Sequence, residues 1–342
     1  MTSLDEDQVA LSLVVHLNKT NQNRNMNRTL LLTIAFLLTP LLTCAATQNK
    51  SIDKPNVLLI AIDDLNDWVG CLGGHPDARS PNMDRLAERG MLFANAHCQA
   101  PICNPSRTSI MYGLRPSTSG VYMNAPRPWS VAALDDQITM PRYFAANGYR
   151  TFTTGKIYHG SGLPPGDFNV VGPRPGQRLK GLDARLVPAT NGGARGLWDF
   201  GPQSYDEDLF QDRVDADWAI DVIRSHGTTD SPQPDQKPFF LAVGFYRPHV
   251  PFYSPARIFK QIPIDEIDLP PIKENDRDDL PEIASELMVA PVAPPHQWFV
   301  EQGKWKEAVQ SYLACIRWTD EQVGRLLDAL DKSGHSKNTI VV

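Results

Sequence analysis

Four apolar runs constrain this chain more than anything else in it: Asn56–Ile62, Tyr149–Thr154, Phe239–Phe245 and Asn338–Val342. The first and third have the length of a strand but lack the polar alternation of a strand with one wet face. Both therefore read as strands buried on both sides, and Asn338–Val342 begins another buried strand. Helical patterns separate the runs. Alternating strands and helices of this kind predict an α/β fold, a sandwich of helices on both faces of a large, mostly parallel central sheet.

The helices can be read from their ends. Ser80-Pro81 starts one that carries Met83, Leu86 and Ala87 and stops at Gly90. Another starts at Cys103 and runs to Tyr112, stopped by Gly113, and Thr139–Gly148 forms a short one with a glycine C-cap. Asp206–Ser225 is helical, with Leu209, Val214, Trp218 and Val222 spaced for one face. Trp305–Lys332 is the clearest helix, its stripe running through Val309, Tyr312, Leu313, Ile316, Val323, Leu326, Leu327 and Leu330. Met91–Ala96 reads as a short strand. Residues 160–204, rich in glycine and proline, read as surface loops, and the proline-rich stretch 262–295 as a long loop over the rim of a site. Loops 160–204 and 262–300 are expected to shape the substrate pocket.

The chain has 342 residues, 42% hydrophobic and 21% charged, with net charge −6. That is the composition of a globular protein. No basic run or basic-aromatic patch invites nucleic acid. Residues 26–46 have the order of an export signal: Arg28, an apolar stretch from Leu30 to Leu42, then small residues at Ala45 and Ala46. Met26 opens that signal, so residues 1–25 read as a non-native N-terminal extension. A buried apolar helix and a lipoprotein acylated at Cys44 are the competing readings. Export places the protein in the periplasm or outside the cell, with no stable membrane insertion after signal cleavage. Removing Cys44 leaves Cys71, Cys98, Cys103 and Cys315, too few for a disulfide scaffold.

Candidate chemistry sits at the strand ends and at one helix start. Asp63 and Asp64 follow the first strand directly, where two adjacent acids suit a hard divalent cation, although a helix cap or solvated turn would look the same. Cys103-Asn104-Pro105-Ser106-Arg107 opens a helix. The cysteine stands in the positive field of the helix terminus, the proline suits the first turn, and Arg107 lies one turn on along the same face. A buried structural cysteine is the alternative there. Lys156 and His159 follow the second strand, and His249 follows the third between Pro248 and Pro251.

Together these segments resemble the sulfatase branch of the alkaline-phosphatase superfamily, most closely its iduronate-2-sulfatase-like members. The resemblance runs from Pro55 to Val342. It is carried by Asn56–Trp68 with its paired acids, Gln99–Pro116 with Cys-x-Pro-Ser-Arg, Gly148–His159, Phe239–Phe252 and the helix Gln310–Asp331. It implies an alkaline-phosphatase/sulfatase-like fold over 55–342 and oxidation of Cys103 to formylglycine by a formylglycine-generating enzyme. Calcium, or alternatively magnesium, would be held by Asp63, Asp64 and an oxygen of modified Cys103. The aldehyde hydrates to a diol: one hydroxyl attacks the sulfur of a sulfate ester, and the other later expels sulfate. Arg107 would help acidify the diol, Lys156 would hold sulfate oxygens, and His249 would stand near the leaving oxygen and either protonate it or orient the sulfate. His159 would serve as the base or as a proton relay. The implied activity is hydrolysis of sulfated glycans, a uronic-acid 2-O-sulfate above all. The same fold could instead serve a phosphate ester, a phosphonate or choline sulfate. The family's remaining metal ligands, an Asp-His pair, lie beyond the strand that begins at Thr339. The resemblance therefore marks 55–342 as a catalytic domain incomplete at its C-terminus, and an inactive fragment is a further alternative.

Overall fold

The computed structural model describes residues 54–160, 162–173, 198–226, 237–287 and 294–342. The extension and export signal expected over 1–46 lie outside them.

Strands β1 (Asn56–Ile62), β2 (Arg150–Gly155), β3 (Val170–Val171), β5 (Phe239–Phe245) and β7 (Thr339–Val341) form one sheet in the order β3-β2-β5-β1-β7, with every pairing parallel. A second, two-stranded sheet pairs β4 (Phe200–Gln203) with β6 (Phe252–Pro255). The longer helices are α1 (Pro81–Glu88), α2 (Cys103–Tyr112), α3 (Met140–Ala146), α4 (Gln211–Ser225) and α5 (Trp305–Lys332).

Parallel strands need crossovers, and the helices supplying them cover both faces. Because side chains alternate along a strand, β1 and β5 divide their residues between two cores. Leu58, Leu241, Val243 and Phe245 pack with Ala219, Ile223, Leu326 and Leu330 of α4 and α5. Val57, Phe240 and Ala242 pack the other way, with Met111 of α2 and Met140 and Phe144 of α3. This is the α/β/α sandwich. Strand β5 lies at its centre and is buried at every position. Burial in β1 relaxes after its first three residues, where the sheet opens towards Asp63 and Asp64.

Several expectations need correction. Met91–Ala96 forms no strand: Met91 and Phe93 are exposed and the segment joins no ladder. An apolar run becomes a strand only where an edge accepts its hydrogen bonds, and local sequence does not supply that edge. Within 160–204, the described residues include β3 and β4 rather than loops alone. Residues 174–197 are not described. The loop 262–295 includes a 3-10 turn at Ile264–Glu266 and a helix at Glu282–Leu287. Strand β7 lies at the sheet edge with Ile340 exposed, not buried on both sides. The buried face of α4 is Ala216, Ala219, Ile220 and Ile223, while Leu209 lies outside the helix and exposed. Among the described residues no helix is long and apolar enough to cross a membrane. Cys71, Cys98, Cys103 and Cys315 are all unpaired.

Candidate active site

The parallel sheet brings its C-terminal strand ends to one edge, where open α/β sheets present their ligand crevice. The backbone N–H of Asp63 continues the ladder beyond β1 by donating to the Phe245 carbonyl at 3.2 Å. That turns the Asp63 carboxylate inward, 5% exposed. Asp64 adopts φ 57°, which among the described residues no other non-glycine position shares on the positive side. The left-handed backbone costs energy for a residue with a Cβ, aspartate being among the more tolerant. It separates the two adjacent carboxylates: one buried, the other half-exposed. The Tyr312 hydroxyl holds the turn, donating to the Asp64 carbonyl at 2.8 Å.

Buried Asp63 accepts two cations. Arg107 donates from Nη2 to its Oδ1 at 2.6 Å, and the Lys156 ammonium bonds its other oxygen. Burial alone would raise this carboxyl's pKa, but the Arg107 and Lys156 charges outweigh it and hold the group below its usual value. Asp64 has no such partner pair. Burial and the Asp63 charge push it up, against the opposing pull of His249.

Lys156 reaches Asp63 through a backbone device the sequence did not announce. Gly155 (φ 71°) pairs with Gly244 across β2 and β5, and the Lys156 N–H donates to the Gly244 carbonyl at 2.7 Å. A Cβ on Gly244 would stand 2.1 Å from the Lys156 carbonyl oxygen. The two glycines let the chain cross the strand end closely enough to send the ammonium back to the acid. There it also lies 4.5 Å above the Tyr246 ring.

Helix α2 starts at Cys103 and ends against Gly113 in the left-handed region. Its N-cap, Ile102, provides no side-chain cap; Asn124 Oδ1 takes that place, accepting from the Asn104 N–H at 3.4 Å in the first turn. The Cys103 thiol lies 3.6 Å from Asn124 Oδ1. Burial raises its pKa, and it stands near enough to Lys156, Asp63 and Asp64 for their charges to act on it. Arg107, one turn on, faces Asp63 and donates from Nη1 to the Ile157 carbonyl at 3.2 Å.

His249 Nδ1 lies 2.6 Å from the Val250 carbonyl, which can only accept, so a neutral ring keeps its proton there. Burial and the Lys156 charge favour that neutral state. Nε2 then turns a lone pair to the space it shares with the Asp63 and Asp64 carboxylates, whose oxygens lie 4.0 and 3.8 Å away. Three electron-rich donors thus converge within 4.8 Å of one another. In that tautomer such a set has no proton to share and suits a cation, and two carboxylates favour a hard divalent one. The residues therefore fit calcium or magnesium as part of a shell. The converging group adds His249 to the two acids expected from sequence. The expected third ligand, an oxygen of modified Cys103, is an atom that the unmodified thiol does not carry, and Cys103 stands near enough for the charges of Asp63 and Asp64 to act on it.

His159 is half-buried, its Nδ1 buried without a hydrogen-bond partner. Burial, Lys156 and Arg127 lower its pKa. Arg127, which binds the His159 carbonyl at 2.6 Å, was not foreseen. Nor were Asn124, Tyr246 and Asp212, the last accepting the Tyr246 and Arg247 N–H groups at 2.5 and 3.1 Å and so fixing the turn that carries His249. Arg127, Asn124 and Asp212 lie outside the motif segments, and although Tyr246 falls within Phe239–Phe252, no local pattern distinguishes any of them from ordinary loop and helix residues.

The profile of the family described as Sulfatase matches residues 55–342. The chain belongs to the sulfatase family. A sulfatase of Formosa agariphila is 37% identical over 322 residues, covering 88% of this chain and 61% of that relative. Iduronate 2-sulfatase of Mus musculus is 32% identical over 323 residues, covering 88% of this chain and 55% of the relative. Among solved structures, a phosphonate monoester hydrolase of Agrobacterium radiobacter superimposes with a TM-score of 0.60 at 21% identity, over 84% of this chain and 61% of that one, a likeness of fold. This sulfatase chain spans little more than half the length of the two sequence relatives.

Proposed function

We propose that this chain carries the catalytic centre of an exported, formylglycine-dependent sulfatase that hydrolyses sulfated glycans, with a uronic-acid 2-O-sulfate as its ester. The observation that carries the reading is Cys103 on the first turn of α2, within electrostatic reach of Asp63, Asp64 and Lys156. Similarity to iduronate 2-sulfatase supports the choice of ester.

Oxidation of Cys103 to an aldehyde by a formylglycine-generating enzyme, followed by hydration, would supply the nucleophilic hydroxyl. Asp63, Asp64 and His249 would hold the divalent cation, calcium or magnesium. Bound there, it would supply Lewis acidity and offset the charge of the sulfate. Lys156 and Arg107 are cations already fixed against Asp63; beside a bound sulfate they would offset the developing negative charge with little rearrangement. His159, kept neutral by burial and by the Lys156 and Arg127 charges, can accept a proton. His249 lies beside the acids, where its imidazole can orient the sulfate or serve the leaving oxygen.

The test is intact mass followed by turnover. Coexpression with a formylglycine-generating enzyme should lower the protein's mass by about 18 Da, the exchange of a thiol for a carbonyl. The converted protein with calcium should cleave an aryl sulfate in preference to an aryl phosphate, and Cys103→Ala should abolish this. Sulfate-ester turnover that persists with residue 103 as an unmodified thiol, or in Cys103→Ala, would refute the proposal.

A further inference from the structure

Beside the acids lies a cleft of about 400 Å³ that the chemistry above does not use. Its walls include Trp68, Phe252, Trp305 and Tyr312, with Asn66 and His296 as polar members, and among the described residues no Asp, Glu, Lys or Arg lines it. Three links make it continuous with the site. The Tyr312 hydroxyl donates to the Asp64 carbonyl at 2.8 Å, the Tyr312 hydroxyl oxygen accepts from the Asn66 N–H at 3.1 Å, and Phe252 follows His249 by three residues.

The rings are braced by one another rather than loose. Trp68 and Phe252 each meet Tyr312 edge-on, with centroids 5.4 and 5.2 Å apart, and Trp305 meets His296 edge-on at 4.7 Å. Trp68, Phe252, Trp305 and Tyr312 are all half-buried, so each is packed on one side and open on another. An aliphatic ligand would need no amide, imidazole or hydroxyl at the wall, and an ionic one would meet no countercharge. A pyranose ring has both an apolar C–H face and polar edges, which is the pairing this wall offers.

We infer that the aromatic cleft is a saccharide subsite, holding the uncharged face of the sugar ring next to the one that carries the sulfate. Which ring faces the acids rests on the sulfatase reading; the presence of a sugar platform does not. The subsite makes oligosaccharides better ligands than monosaccharides.

The experiment measures binding, so neither conversion of Cys103 nor turnover is required. A uronic-acid-containing tetrasaccharide, 2-O-sulfated or desulfated, is titrated calorimetrically into the full chain and into Trp305→Ala, Trp305→Phe and His296→Glu. The wild type should bind both ligands. Trp305→Ala should weaken both by roughly 3- to 10-fold, the worth of one aromatic contact, while Trp305→Phe stays close to wild type. If Trp305→Ala does not fold, His296→Glu decides: a carboxylate at this exposed rim position should weaken both anionic ligands, and unchanged affinity would overturn the subsite. Wild-type affinity in folded Trp305→Ala, or no binding of either tetrasaccharide to the wild type, would also overturn it. Equal binding of both ligands, weakened equally by Trp305→Ala, would uphold the cleft while removing the sulfate-recognising reading of the neighbouring site.

Discussion

The Arg107–Asp63–Lys156 cluster allows charge removal to be tested with a predicted asymmetry. Their side chains are 7%, 6% and 5% exposed, so water screens none of them well. The three formal charges sum to +1. Asp63→Asn raises that sum to +2 and leaves two buried cations facing each other without their acid. Breaking a buried pair in this way costs about 3–5 kcal/mol, chiefly through the uncompensated charge left behind. Lys156→Met lowers the sum to 0, because Arg107 still pairs with Asp63 at 2.6 Å. Replacing the lysine with an apolar chain of similar length should cost no more than about 1 kcal/mol and could stabilise the fold. Urea unfolding in EDTA, followed by circular dichroism, gives both values if the m-value is unchanged. Acid provides a second check. Asp63 is held below its ordinary pKa, so its contribution is complete above the ordinary carboxylate range and is lost as pH falls through the lower folded value. The gap between wild type and Asp63→Asn should therefore narrow on acidification. Equal costs for the two substitutions, or a gap that persists well below pH 3.8, would refute this account of the cluster.

Gly244→Ala should lower stability by at least about 3 kcal/mol, because its Cβ meets rigid Lys156 backbone at 2.1 Å. Gly73→Ala, where a Cβ meets nothing within 4 Å but φ is 71°, should cost only about 1 kcal/mol in the same urea assay. Burial, reinforced by the Asp212 charge, pushes Asp215 up to about 8. The folded state therefore binds this proton more tightly than the unfolded one, and stability should decline as pH rises from the ordinary carboxylate value towards 8. Asp215→Asn should flatten that decline, which pH-dependent melting would show.

Fold class and most of the residues that converge at the candidate site were legible in the chain itself. Continuous apolar strands, the glycine stops at Gly90, Gly113 and Gly148 and acids directly after β1 are local signals, written in a few neighbouring residues. The boundaries of α2, α5, β1 and β5 accordingly match their sequence readings. What lay beyond the sequence was partnership. Met91–Ala96 has the composition of a strand but no edge to join. Leu209 has the spacing of α4 but precedes its first turn. At the site, the motifs named Asp63, Asp64, Cys103, Arg107, Lys156, His159 and His249 without saying which would touch. Only the folded sheet brings His249 to the two acids, gives Asp63 both its cations, and turns Trp68, Phe252, Trp305 and Tyr312 into one wall. Each of those contacts joins residues many positions apart, and its geometry depends on strand order and backbone approach. A linear pattern carries no record of either.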